Sequence, residues 1–197
     1  MKKKLLVLGS QGFVGSNLVE HFCDSDEYTV YGTTYNNLSR QDSRATYLSV
    51  DLTCKKEVER LFSTVRPDAV LMAAAYSTSS KDIAEAPYKQ VTPSVIMNAL
   101  VFEACHLFEV KHCLFFSCSV MHGSKDSPQK ETDWNIGQPL YPAYGFVGST
   151  KVYSEGLCEY YSKLGKCKFG VIRNSNIVGK NDKADLAKAH VCGSLAM

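Results

Sequence analysis

Lys3-Lys4-Leu5-Leu6-Val7-Leu8-Gly9-Ser10-Gln11-Gly12-Phe13-Val14-Gly15 decides the fold of this chain. Lys3–Gly9 is a short apolar run closed by glycine, which reads as a buried strand. From Gln11 to Cys23 the apolar residues Phe13, Val14, Leu18, Val19 and Phe22 recur at helical spacing. Between strand and helix stands GxxGxxG. One glycine allows a tight turn, one lets backbone amides approach a pyrophosphate, and one allows close helix packing. The helix N-terminus then offers free N–H groups and the positive end of its dipole. A glycine-rich turn with no ligand is the plainer alternative.

Working outward, strands and helices alternate. Strands are expected at Tyr28–Thr34, Thr46–Val50, Ala69–Ala74, Lys111–Ser117 and Lys168–Arg173. Helices are expected at Cys54–Val65, Val91–Phe108 and Tyr144–Leu164, the last ended by Gly165. Ser124–Pro142 reads as a long polar loop, and the chain from Asn174 onward is weakly patterned. Right-handed crossovers then give a doubly wound α/β parallel sheet of the Rossmann type, covered on both faces. No linker divides residues 1–197, which read as one dinucleotide-binding domain.

Composition narrows the function classes. The 197 residues carry 22 Lys and Arg against 20 Asp and Glu, a net charge of +2. So small a balance gives no reason to invoke nucleic acid or an anionic membrane. The apolar runs Leu5–Leu8, Ala69–Ala75 and Cys113–Phe116 are too short to span a bilayer, and Met1-Lys2-Lys3-Lys4 is followed by no signal-peptide core. The eight cysteines (23, 54, 105, 113, 118, 158, 167, 192) form no CxxC pair. They read as scattered reduced thiols of a cytoplasmic protein, and no ligand spacing points to a metal.

Other strand ends add cofactor contacts. Strand two ends in Gly32-Thr33-Thr34-Tyr35, without the acidic residue that usually meets a ribose 2′-OH. Arg40 and Arg44 follow, and an arginine suits a 2′-phosphate, which leans toward NADP with NAD still open. Both arginines read equally well as solvated loop residues. Asp51-Leu52 follows strand three, where a carboxylate can accept from an adenine amino group or cap the next helix. The small side chains of Ala73 and Ala74 let a cofactor lie against the backbone.

GSQGFVG, then Asp51-Leu52, then Ala73-Ala74-Ala75, then SCSVMHG (117–123), then YGFVGSTKVYSEG (144–156), in this order, resemble the extended short-chain dehydrogenase/reductase family. That resemblance implies an NAD(P)-dependent nucleotide-sugar epimerase, dehydratase or reductase, with a nucleotide sugar as substrate and a homodimer as assembly. Residues 106–190 are most similar to the GDP-L-fucose synthase branch, which acts on a GDP-4-keto-6-deoxy sugar. Arg66-Pro67-Asp68 and Ala73–Tyr76 also resemble dTDP-4-keto-sugar reductases. By the family pattern, Lys151 holds the nicotinamide ribose and lowers the pKa of a tyrosine proton donor. A Ser or Thr hydroxyl donates to the substrate oxygen, and His190 falls at the place of an acid/base histidine.

The sequence departs from that pattern in three places. Four residues before Lys151 stands Val147 rather than tyrosine, and Tyr144 lies seven before. Either three residues are inserted, which keeps Tyr144 on the lysine's helix face at ~10 Å of rise rather than ~6 Å or, through Gly145 and Gly148 outside the helix, lets it fold back, or the catalytic tyrosine is lost. The hydroxyl position falls on Cys118, a weaker donor, with Ser119 beside it. The chain also ends near where the family's substrate-gripping region begins, so most of that region is expected to be missing. Two readings follow: an NAD(P)-dependent oxidoreductase/epimerase, or a degenerate dinucleotide-binding module that works by interaction.

Overall fold

The computed structural model describes residues 2–36, 39, 41–76, 85–122, 127–134, 137–140, 142, 145–175 and 177–182. Arg40, Tyr144, His190 and Cys192, all singled out above, lie outside the described residues.

Six strands, β1 (Lys3–Leu8), β2 (Tyr28–Thr34), β3 (Thr46–Ser49), β4 (Ala69–Met72), β5 (His112–Phe116) and β6 (Lys168–Ile172), form one sheet. Its order is β3-β2-β1-β4-β5-β6, and all five pairings are parallel. Among the described residues four helices alternate with them: α1 (Phe13–Cys23), α2 (Lys55–Val65), α3 (Tyr88–Leu107) and α4 (Gly145–Lys163). The chain runs outward from β1 in both directions. The reversal leaves a crevice at the carboxyl ends of β1, β2 and β4, the usual ligand position in such sheets.

Burial on both faces explains why β1 is a continuous apolar run. Leu6 and Leu8 join the core beneath α2, α3 and α4. Leu5 and Val7 face the other way, with Val19 of α1, Val30 and Leu71. Every residue from Leu5 to Leu8 is almost fully buried. Each such side chain contributes about 1.5–3 kcal/mol of burial free energy.

Helix α3 starts three residues before the expected Val91. Backbone bonds from Gln90 and Val91 N–H to the Pro87 carbonyl open it, and Pro93 is accommodated inside. The helix opens on Pro87, whose missing N–H costs nothing there. Strand β4 is shorter than expected, because Ala73 and Ala74 have left the sheet for the crevice.

The seven described cysteines are free thiols. Four of them, Cys105, Cys113, Cys158 and Cys167, are buried in the main core. Cys105 shares hydrogen bonds with Cys113 and Cys167, and burial pushes the Cys105 and Cys158 thiols well above their ordinary range. These groups pack as small apolar side chains. No helix among the described residues is long and apolar enough to cross a membrane. The described residues also hold no group of His, Cys, Asp or Glu arranged for a metal ion.

Arg44 donates to both Asp24 and Asp42, clamping the segment before β3. It therefore does not reach for a 2′-phosphate, contrary to one expectation above. Its guanidinium holds the Asp42 carboxyl down at about 2. A depressed carboxylate pKa stabilises above the unfolded value near 3.9, and that stability drains as pH falls through the folded pKa. In acid titrations followed by circular dichroism, the stability gap between wild type and Arg44→Gln is therefore expected to close between pH 4 and pH 2. A gap unchanged over that window would refute the pairing.

Candidate active site

The crevice begins at the glycine turn. Gly9 has φ +77°, and a Cβ on it would lie 2.5 Å from the Ala74 Cα. Only glycine fits both conditions. A Cβ on Gly15 would overlap the Gly9 carbonyl, so Gly15 is what brings α1 against β1. The Gly12 N–H donates to the Gly9 carbonyl at 3.0 Å, and the first helical bond runs from Ser16 N–H to the Gly12 carbonyl. The amides of Phe13, Val14 and Gly15 precede that bond and are the orphan donors of the helix start.

Three groups hold this turn that the sequence reading passed over. The Gly9 N–H donates to Thr33 Oγ1 at 3.0 Å, and Ser10 N–H and Oγ both donate to the Thr33 carbonyl. Gly32 leaves room for Ser10, whose Oγ would lie 2.7 Å from an added Cβ. The signal was present in sequence as a glycine inside an otherwise β-branched strand, which marks a close approach. Gln11 Oε1 accepts from the Ser39 N–H, tying the segment after β2 to the turn.

A cleft of about 290 Å³ lies over this turn. Of the residues singled out for a cofactor, Gly9, Gln11, Gly12, Asp51, Leu52, Ala73 and Ala74 line it. Phe13, Val14 and Gly15 form the first turn of α1 and do not line it; the Phe13 ring lies toward Gly179. Thr33, Thr34, Tyr35 and Tyr76 line it as well. Asp51 does not cap α2, whose N-cap is Cys54 with no side-chain bond. Its Oδ1 accepts instead from Thr53 N–H and Thr53 Oγ1, while its own N–H donates to Glu57. That arrangement fixes the turn and keeps a carboxylate at the cleft.

The second half of the site sits where β5 and α4 meet. Lys151 is half-buried, and its Nζ donates to the Phe116 carbonyl at 2.8 Å and lies 4.7 Å from the Phe115 ring centroid. Burial lowers its pKa, against the opposing pull of Cys118 and Glu155. Cys118 is its electrostatic neighbour. Burial raises the thiol pKa, and the charge of Lys151 and the amides of Val120 and Met121 only partly offset this. Ser119 opens a 3₁₀ turn, Ser119–His122, and its N–H donates to the Asn174 carbonyl. Ser117 is buried against Met121 Sδ, facing away.

Helix α4 is continuous from Gly145 through Lys151. Gly145 and Gly148 therefore do not keep this segment out of helix, as one expectation had it. The Gly148 position instead accommodates the Leu140 side chain. Val147 stands one turn before Lys151 on the same face, where the family's tyrosine would be.

An ion pair unforeseen from sequence backs the lysine. Arg173, just past β6, donates through Nε and Nη2 to the Glu155 carboxylate, one turn after Lys151. Arg173 also donates to the Glu131 carbonyl, and its guanidinium lies 4.7 Å from the Trp134 ring centroid.

A parallel sheet ordered 3-2-1-4-5-6, a glycine turn at its switch point and a half-buried lysine on the helix before β6 define a Rossmann-type α/β fold. The model of the NAD dependent epimerase/dehydratase family matches residues 5–196, and the chain belongs to that family. GDP-L-fucose synthase of Sinorhizobium fredii is 26% identical over 193 residues, covering 98% of this chain and 57% of that protein. UDP-glucose 4-epimerase of Thermus thermophilus, solved with NAD, superposes with a TM-score of 0.80 at 24% identity over 98% of this chain and 60% of that one. A GDP-D-glycero-L-gluco-heptose synthase from Campylobacter jejuni, solved in the presence of NADPH, superposes at 0.80 with 18% identity, over 98% and 53%. The chain thus spans little more than half the length of the relatives it matches.

Proposed function

We propose that residues 1–197 form the dinucleotide-binding domain of an NAD(P)-dependent oxidoreductase/epimerase acting on an NDP-4-keto-6-deoxy sugar. The observation that carries this reading is the cradle itself. Gly9, Gly12, Ala73 and Ala74 leave backbone exposed to a cleft where any larger side chain would intrude. That cradle fits a pyrophosphate. The lack of a carboxylate at the end of β2 favours NADP over NAD, and Arg40 is the arginine we assign to a 2′-phosphate.

A bound nicotinamide dinucleotide supplies the hydride. Lys151 contributes a half-buried positive charge that holds a ribose hydroxyl and lowers the pKa of a phenol beside it. Cys118 and Ser119 are the donors assigned to the substrate oxygen, and Tyr144 and His190 the groups assigned to move protons. The homodimer we infer pairs α3 and α4 of two copies. Leu107, Tyr153 and Tyr160 support it, because they are exposed, whereas Val101 is core and Leu100 and Leu157 pack against the core.

Titrating the purified chain with NADPH and with NADH by calorimetry tests the reading. Saturable binding, tighter for NADPH, is expected; a folded chain that binds neither would overturn it. The second reading, a non-catalytic dinucleotide-binding module, is favoured by Val147 in the tyrosine position. Val147→Tyr is expected to raise NADPH oxidation with GDP- or dTDP-4-keto sugars by roughly 10- to 100-fold, within the usual worth of a general acid. If Tyr144→Phe alone abolishes wild-type turnover, Tyr144 already fills the role.

A further inference from the structure

Asn98 shares the buried face of α3 with Met97, Val101 and Phe102, and is only 4% exposed. Its Nδ2 donates across to Ser154 Oγ of α4 at 2.9 Å. Ser154 is fully buried, and its own hydroxyl donates to the Thr150 carbonyl at 2.7 Å. Asn98 Oδ1 is buried and has no hydrogen-bond partner among the described residues. An unpaired amide oxygen in a core is destabilising, and a leucine of similar volume would avoid it. The asparagine therefore stands at this position against stability. What it supplies is direction. Apolar contact between Phe102 and Cys158, which belong to the same core, is non-directional, whereas a hydrogen bond fixes the rotation of one helix against another.

We propose that Asn98 is a positioning residue, whose bond to Ser154 sets the rotation of α4 and so aims Lys151 at the ribose of the nicotinamide half. This rests on the dinucleotide reading above and extends it to a side chain that does not line the cleft, although its neighbour Met97 does. Ser154 stands three residues after Lys151, about 60° around the helix and less than one turn along it. A rotation of α4 that broke the Asn98–Ser154 bond would also carry Lys151 Nζ away from the Phe116 carbonyl.

Stability and affinity should move in opposite directions, which a purely structural role would not produce. Asn98→Leu is expected to raise the melting temperature of the full chain by about 2–4 °C, since no amide oxygen is then left unpaired. In calorimetry the same variant is expected to weaken NADPH by about 10-fold, the effect of a misplaced binding group. ADP, which carries the base and pyrophosphate but no nicotinamide ribose, should stay within about twofold of wild type. The NMR resonance of labelled Lys151 Nζ should shift in this variant. Ser154→Ala removes the acceptor from the other side and should weaken NADPH as much, and the double variant Asn98→Leu, Ser154→Ala no further, because the two changes break one bond. Wild-type NADPH affinity in a folded Asn98→Leu variant, or equal losses of NADPH and ADP, would overturn the positioning role while leaving the dinucleotide site standing. A lowered melting temperature in Asn98→Leu would make Asn98 a packing residue and overturn the role as well. Failure of the wild-type chain to bind NADPH or NADH would overturn the dinucleotide reading itself.

Discussion

Gly9→Ala is expected to lose both stability and nucleotide binding, whereas Gly12→Ala loses mainly binding. At Gly9 the new methyl meets two penalties. Its φ of +77° is left-handed, and the Cβ would sit 2.5 Å from backbone of Ala74. Left-handed strain costs about 1–2 kcal/mol and forced backbone displacement about 1–3 kcal/mol, together about 2–5 kcal/mol. In a chain of this size that lowers Tm by roughly 5–15 °C. The same shift displaces Ala74, which lines the cleft. At Gly12 the added Cβ meets only the Gly9 carbonyl, at 3.4 Å, an ordinary contact. The fold accepts it, but the methyl stands in the cleft where an anion must approach. Losing one amide contact to a phosphate, at about 1.5–3 kcal/mol, weakens binding by roughly 10- to 150-fold. Thermal melts and NADPH titrations of the two variants separate these effects. Equal Tm losses in both would mean that the close approach at Gly9 is misassigned.

Arg173→Met is expected to destabilise the chain by about 3–5 kcal/mol, the cost of leaving a buried charge without its partner. The side chains of Arg173 and Glu155 are only 18% and 8% exposed. The guanidinium also fastens the Glu131–Trp134 segment to the sheet edge through the Glu131 carbonyl and the Trp134 ring. The double variant Glu155→Met, Arg173→Met should recover part of that loss, because no charge is then stranded. Denaturant melts of the two single variants and the double variant measure the coupling directly. A second readout tests whether the pair reaches Lys151. Glu155 is one of two groups that raise the Lys151 pKa against burial. Glu155→Gln should therefore move the Lys151 titration to lower pH, observable by NMR of labelled lysine. An unmoved titration would confine the pair to a structural role.

Much of the cleft at the glycine turn was legible in the residues. GxxGxxG and the alanines after β4 carry backbone requirements, and a backbone requirement is visible as a missing side chain. Thr33 and Ser10 were not read, because their hydrogen bonds span 23 and 24 residues. The helix at 145–163 and its lysine were legible as well. The Arg173–Glu155 pair was not, since a sequence does not say which arginine finds which carboxylate.

The sequence alone determined the alternation of strands and helices, and with it the parallel sheet and the crevice at its switch point. These follow from local periodicity and glycine placement, which act over a few residues. Tertiary structure decided what the local pattern left open. Arg44 is spent on Asp24 and Asp42, Asp51 locks a turn rather than capping a helix, and α4 stays helical through Gly145 and Gly148. Each of these outcomes is a competition between partners brought together from distant parts of the chain. Such competitions are settled by three-dimensional distance and burial, neither of which the order of residues contains.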